Sequence, residues 1–243
     1  MEIGFKGKTA LVVGGSSGIG NGIAQAFRAA GAEVHVWGTR ARAEDYAPAE
    51  GSDLAGLRYA RMDVADFAAL EAYEAPFGAL DILVLCQGTV IYQRGEFAMS
   101  SFRHVVDVNL NSVMACASKF HAALAATKGA LIVVSSTAAY HATKGNPAYN
   151  ASKAGAVGLT RTLAAAWAAD GIRVNGIAPG FVDTKLTKVT TDNPQRLRAA
   201  LASIPLGRLG TPADMAGVAL FLASPLSAYV VGQTIVVDGG LIL

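Results

Sequence analysis

Cysteine is nearly absent: Cys86 and Cys116 are the only two in 243 residues, so no disulfide framework holds the chain, and a reducing, cytoplasmic setting is expected. Charge is sparse too, at 16% of residues, and 20 Lys plus Arg against 18 Asp plus Glu leave a balance of only +2. Without a basic block there is little to neutralise a phosphate backbone, so nucleic acid is not an expected partner. Long apolar runs are missing as well. Glycine, proline or a polar residue interrupts every stretch before the ~18 residues that a membrane span needs, so no membrane partner is expected. The run from Thr9 to Val13 is too short for a signal-peptide core. Four histidines, His35, His104, His121 and His141, stand far apart with no His-x-x-x-His spacing, which leaves no metal site to expect.

What the chain does have is apolar bulk: 52% hydrophobic residues, enough for a large core and for apolar surface between subunits. At roughly 150 residues per domain, a chain of this length makes one large domain or two small ones. One α/β domain over residues 1–243 fits better, because strand-like and helix-like stretches alternate from end to end. Short apolar runs at 9–13, 34–37, 81–85, 130–135, 173–177 and 234–237 read as strands covered on both faces. Helical periodicity follows at 21–30, stopping at Gly31, and again from 151 to 169, stopping at Gly171. Repeated β-α favours a doubly wound parallel sheet with helices on both faces. Residues 179–204 are polar and irregular, and about 183–205 reads as a mobile segment covering a substrate site.

A glycine turn, Gly14-Gly15-Ser16-Ser17-Gly18-Ile19-Gly20, joins the first strand to the first helix. Glycines there bring bare N–H groups and the positive helix end close to a pyrophosphate, as a dinucleotide site requires. No Gly-Lys-Ser/Thr follows, so this is not a triphosphate loop. For NAD, a carboxylate at the end of the second strand would grip the ribose hydroxyls, but Trp37-Gly38-Thr39-Arg40 offers none before Glu44. Arg40 can pair with a 2′-phosphate and Thr39 can donate to it, so NADP(H) is favoured and NAD(H) stays open.

Tyr149 and Lys153, four apart at the start of the long helix, share one face, and an ammonium beside a phenol favours the phenolate. Such a pair suits general acid/base work. Ser136 directly follows a strand, at the carboxyl end where open α/β sheets hold ligands, and its hydroxyl can polarise a carbonyl beside Tyr149. Tyr140, His141 and Lys144 lie between them, either as selectors of a polar or anionic substrate or as solvated loop residues.

Together, Gly14-x-x-x-Gly18-x-Gly20, Tyr149-x-x-x-Lys153, Ser136 thirteen residues before the tyrosine, Asn109 in Val108-Asn109-Leu110-Asn111, and Pro179-Gly180 make the chain resemble the short-chain dehydrogenase/reductases along essentially its whole length. The resemblance implies one Rossmann-like domain with a seven-stranded parallel sheet, moving a hydride between a nicotinamide and a ketone, a 3-oxoacyl carbonyl or a secondary alcohol. By motif match, Tyr149 is the acid/base and Ser136 holds the substrate oxygen. Lys153 binds nicotinamide ribose and lowers the tyrosine pKa, and Asn109 holds a relay water. Asp63-Val64 resembles the adenine contact, and Pro179-Gly180-Phe181-Val182-Asp183-Thr184 the nicotinamide amide contact, with Ile177, Val182 and Thr184 nearest. The ending Val237-Asp238-Gly239-Gly240 resembles the 3-oxoacyl-reductase branch, which implies a homotetramer.

Two departures stand out. Val13 replaces the threonine usual before the first motif glycine, and Leu85-Cys86-Gln87-Gly88 replaces the usual Asn-Asn-Ala-Gly. Gln87 and Gly88 still fall beside the expected cofactor, where Gly88 keeps the close backbone approach. The other readings are an NAD-dependent alcohol, sugar or steroid dehydrogenase and a cofactor-binding protein without turnover.

Overall fold

The computed structural model describes residues 3–48 and 51–243. Its parallel sheet runs in the order β3-β2-β1-β4-β5-β6-β7, with β1 Thr9–Val13, β2 Glu33–Gly38, β3 Arg58–Arg61, β4 Ile82–Leu85, β5 Ala130–Val134, β6 Arg173–Pro179 and β7 Thr234–Val237. The helices are α1 Gly18–Ala29, α2 Phe67–Ala72, α3 Met99–Val106, α4 Ser112–Thr127, α5 Pro147–Trp167, α6 Lys188–Thr191, α7 Pro194–Ser203 and α8 Pro212–Ala223. This is the doubly wound Rossmann-like arrangement that the β-α alternation leads one to expect.

Successive strand side chains point to opposite faces, and here both faces are covered. On one, Ala10, Val12, Val36 and Val84 meet Ile23 and Phe27 of α1 and Ala219 of α8. On the other, Leu11, Leu83 and Leu131 meet Phe120 of α4 and Leu163 of α5. That is why the strands read as unbroken apolar runs. Phe27 is wholly buried, and truncating it to alanine is expected to cost about 3–5 kcal/mol.

Three differences from the sequence reading have physical causes. β3, with the sequence Arg-Tyr-Ala-Arg, lacks an apolar run because it is an edge strand pairing only with β2. α5 starts at Pro147 rather than at 151, since a proline in the first turn sacrifices no needed N–H. The 183–205 stretch is not irregular: it holds α6 and α7, and Asn193 Oδ1 caps α7 by accepting from the N–H groups of Gln195 and Arg196 at 3.1 and 3.0 Å. Among the described residues no helix is long and apolar enough to cross a membrane.

The strand order reverses between β1 and β4, which opens a crevice at their carboxyl ends.

Candidate active site

A cleft of about 690 Å³ occupies that crevice and runs from the glycine turn to the 184–187 segment. The turn is built for close approach. Gly14 and Gly18 have φ of 74° and 54°, and a Cβ on Gly20 would overlap the Gly14 carbonyl. Ser17 is the N-cap of α1 yet makes no side-chain capping bond, and no acid occupies the first turn. The helix therefore presents N–H groups and positive potential to the cleft, fitting a pyrophosphate.

At the end of β2, Ser16, Gly38 and Thr39 line the cleft. Tyr46 closes in beside them: its hydroxyl accepts from the Arg40 N–H at 3.1 Å, and a Cβ on Gly38 would collide with it. Burial raises the Tyr46 phenol, but hydrogen bonds with the Arg40 backbone, Ser16, Tyr59 and Thr39 outweigh it, and the pKa is lowered overall. Arg40 does not line the cleft. Its guanidinium lies over the Tyr46 ring, 4.6 Å from the centroid, and donates to the Asp45 carbonyl. Hydroxyls and a nearby guanidinium, with no carboxylate among the cleft-lining residues at this strand end, suit a phosphorylated ribose.

At the other end stand Ser136, Tyr149 and Lys153, all lining the cleft. The Ser136 Oγ accepts from the Ala138 N–H at 3.1 Å, and its hydroxyl, beside the Tyr149 phenol, favours the phenolate. Burial pushes that phenol up to about 12, with Ser136 pulling the other way. Lys153 is drawn down to about 8 by burial. Its Nζ donates to the Val134 carbonyl at 2.9 Å and lies 5.8 Å from the Tyr149 ring centroid. In this structure, then, the ammonium does not hold the phenol low as the i, i+4 spacing suggests: desolvation outweighs a charge that is engaged with the backbone.

Asn109 sits in a π-helical turn, Asp107–Asn111, between α3 and α4. Its Oδ1 accepts from the Thr89 N–H at 2.8 Å, and its Nδ2 donates to the Thr89 carbonyl at 2.9 Å and to Ser152 Oγ at 3.2 Å. The side chain is thus wholly buried and both its N–H groups are committed to protein partners, leaving neither for a relay water.

The cleft also gathers Gly14, Ser17, Ile19, Gly20, Asp63, Val64, Gln87, Gly88, Pro179, Gly180, Val182 and Thr184, as their motifs led one to expect. The Gln87 side chain turns away to donate to Ser112 Oγ on α4 at 3.0 Å. Tyr140, His141 and Lys144 do not line it. Leu186, from the 183–205 segment, and Tyr92, from the 89–96 loop that sequence reasoning also assigns to the substrate pocket, do. Sequence reasoning missed His104, which lines the cleft, and Tyr46, and singled out no role for Glu96; Tyr46 and Glu96 both touch its residues. The lone acid in Arg94-Gly95-Glu96-Phe97 gave no signal, since only the fold buries it. No group of three or more His, Cys, Asp or Glu among the described residues could hold a metal.

A family model described as Enoyl-(Acyl carrier protein) reductase matches residues 13–242. The 3-oxoacyl-[acyl-carrier-protein] reductase of Chlamydia pneumoniae is 40% identical over 99% of both chains. Among solved structures, an RhlG/NADP active-site complex from Pseudomonas aeruginosa superposes with a TM-score of 0.90 at 34% identity, covering 100% of this chain and 99% of that one. A gluconate 5-dehydrogenase from Burkholderia cenocepacia, in complex with NADP and tartrate, gives 0.88 at 31% identity over 99% and 97%. Matches of this extent, on a sheet whose carboxyl ends bear a glycine turn at one side and Ser136 with Tyr149 at the other, establish that the chain belongs to the short-chain dehydrogenase/reductase family.

Proposed function

We propose that the protein is an NADP(H)-dependent oxidoreductase interconverting a ketone or 3-oxoacyl carbonyl with its secondary alcohol. The observation that carries this reading is that Ser136, Tyr149 and Lys153 line one cleft with the glycine turn, with Lys153 one helical turn beyond Tyr149. The residues from Ser16 to Gly20 would hold the pyrophosphate, Asp63 and Val64 the adenine, and Pro179, Gly180, Val182 and Thr184 the nicotinamide end. Bound there, the nicotinamide supplies or accepts the hydride. Because Ser136 Oγ receives an N–H from Ala138, its own proton is left to donate to the substrate oxygen. Tyr149 gives its proton to that oxygen during reduction and takes it back during oxidation. Asn109 fixes the backbone of Thr89 at the cleft wall.

For the phosphorylated cofactor, the support is the carboxylate-free strand end and two superposable structures that hold NADP. For the carbonyl class, it is the similarity to 3-oxoacyl reductases. A hydroxy- or keto-acid substrate is a second reading, favoured by Lys185 at the mouth and by the neighbour holding tartrate. Measuring NADPH oxidation with 3-oxobutanoyl-coenzyme A and with a keto sugar acid tests both. Turnover of one selects its class, while absence of both turnover and NADPH binding overturns the proposal. A homotetramer is supported by apolar side chains left exposed on the edge strand β7 and near it, Tyr229, Val231, Val236 and Leu243 among them.

A further inference from the structure

Among the described residues, Lys153 and Glu96 are the only buried Lys, Arg, Asp or Glu side chains. The first belongs to the reaction centre. Glu96, wholly buried, has no cation within ion-pairing distance among the described residues, so its burial calls for another cause.

Its partners supply one. Glu96 Oε1 accepts from the Ile91 N–H at 3.1 Å and from Asn146 Nδ2 at 3.4 Å, and Oε2 accepts from the Tyr149 N–H at 2.9 Å. All three are donors, which suits the acceptor-only carboxylate. Tyr149 is the third residue of α5, and its N–H is one that an N-cap side chain ordinarily satisfies. Asn146 stands at that N-cap yet makes no capping bond; its amide goes to Glu96 and to the Ile91 carbonyl at 3.1 Å. A residue 53 positions away in sequence therefore caps the helix at its acid/base residue. The same carboxylate ties the 89–96 loop, which carries Thr89 and Tyr92 into the cleft, to the start of α5.

We propose that Glu96 is a positioning residue for the reaction: its carboxylate fixes Tyr149 and the facing loop in one register and sets a negative charge beside the acid/base. The inference rests on the reading of Tyr149 as that acid/base. The groups facing the Tyr149 phenol are Ser136 after β5, Cys86 after β4, Tyr92 and Glu96 on the facing loop, and Lys153 on its own helix. Glu96, like Tyr92 and Cys86, opposes phenolate formation.

The test is an ultraviolet phenolate titration of the NADP⁺-bound full-length protein, with the Tyr149 component isolated by subtracting the Tyr149→Phe trace. Calorimetric NADPH affinity and turnover of 3-oxobutanoyl-coenzyme A are measured alongside. Glu96→Gln is expected to move the Tyr149 component down by roughly half a pH unit or more, with NADPH affinity changed less than about twofold. Glu96→Asp keeps the charge but withdraws it from the Tyr149 N–H, so the titration is expected to hold while kcat falls about tenfold or more. It also serves if the glutamine variant does not fold. An unmoved titration in Glu96→Gln overturns the inference, as does a parallel loss of NADPH affinity and kcat in both variants, which marks a merely structural role. Undiminished turnover by Tyr149→Phe overturns the acid/base reading itself.

Discussion

Val13 and Leu85 stand opposite one another in the parallel register of β1 and β4, both wholly buried in the same apolar cluster. Two positions at which the chain departs from the pattern it resembles, Val13 and Leu85, thus face each other, and both are apolar. With apolar side chains at both positions, no buried side-chain polar group there needs a partner. Placing a polar side chain at one alone should be costly. Val13→Thr is expected to destabilise the protein by about 1–3 kcal/mol, and Leu85→Asn by at least as much. The double variant should lose less than the two sums, and chemical denaturation of all four proteins measures the coupling.

Tyr149→Phe is expected to lower kcat by about 10²–10⁴, with NADPH affinity within about twofold of wild type, because it deletes only the transferable proton. Burial holds the phenol up at about 12, so the tyrosine stays protonated as an acid across neutral pH. Reduction should hold nearly level from pH 6 to about 8, where Lys153 begins to lose its proton, while oxidation, which needs the phenolate, should climb with pH. Initial rates in both directions check this.

At the end of β2, Arg40 must leave the Tyr46 ring and the Asp45 carbonyl to reach a 2′-phosphate. Arg40→Ala is expected to weaken NADPH binding about 10–100-fold and to leave NADH binding unchanged, since a charge-assisted hydrogen bond contributes about 1.5–3 kcal/mol. Tyr46→Phe, removing one hydroxyl from the same corner, should cost NADPH about fivefold and NADH nothing. Calorimetric titration with each nucleotide separates the two effects.

The sheet was legible because both its faces are covered, which turns strands such as Ala-Leu-Ile-Val-Val into plain apolar runs. β3 was not, because an edge strand pairs on one side only and two of its four residues are arginines. The glycine turn and the Tyr149–Lys153 pair were visible because their residues are close in sequence. Tyr46 was not, and within the 89–96 loop, legible only as a stretch of the pocket, Tyr92 and Glu96 did not stand out, since each joins the site through contacts that only the tertiary fold makes: Tyr92, for example, reaches the Leu186 carbonyl 94 residues on, at 2.6 Å. Arg40 shows the opposite limit. Sequence marks its chemistry but not the ring it folds back on.

If the apolar edge around β7 is a subunit contact, wild-type protein at micromolar concentration should sediment as a tetramer. Val236→Asp, placing a charge on that edge strand, should shift it to a smaller species without unfolding it. A wild-type monomer would refute the assembly.

Lys153 leads to a prediction about stability. Burial draws its ammonium from the ordinary lysine value of 10.5 down to about 8, and among the described residues no carboxylate compensates it. Below pH 8 the folded protein carries the full cost of a buried charge. Between about 8 and 10.5 the folded state releases its proton while the unfolded state keeps it, so stability rises with pH across that window. The difference corresponds to roughly 3 kcal/mol. Lys153→Met removes the charge and keeps the apolar stem. The variant is expected to be catalytically impaired yet more stable than wild type at pH 7, with the gap narrowing toward pH 10. Thermal denaturation of cofactor-free protein at several pH values decides it. A gap independent of pH would mean that the gain comes from packing alone, whereas a closing gap marks the buried ammonium as a cost that the fold carries for the site.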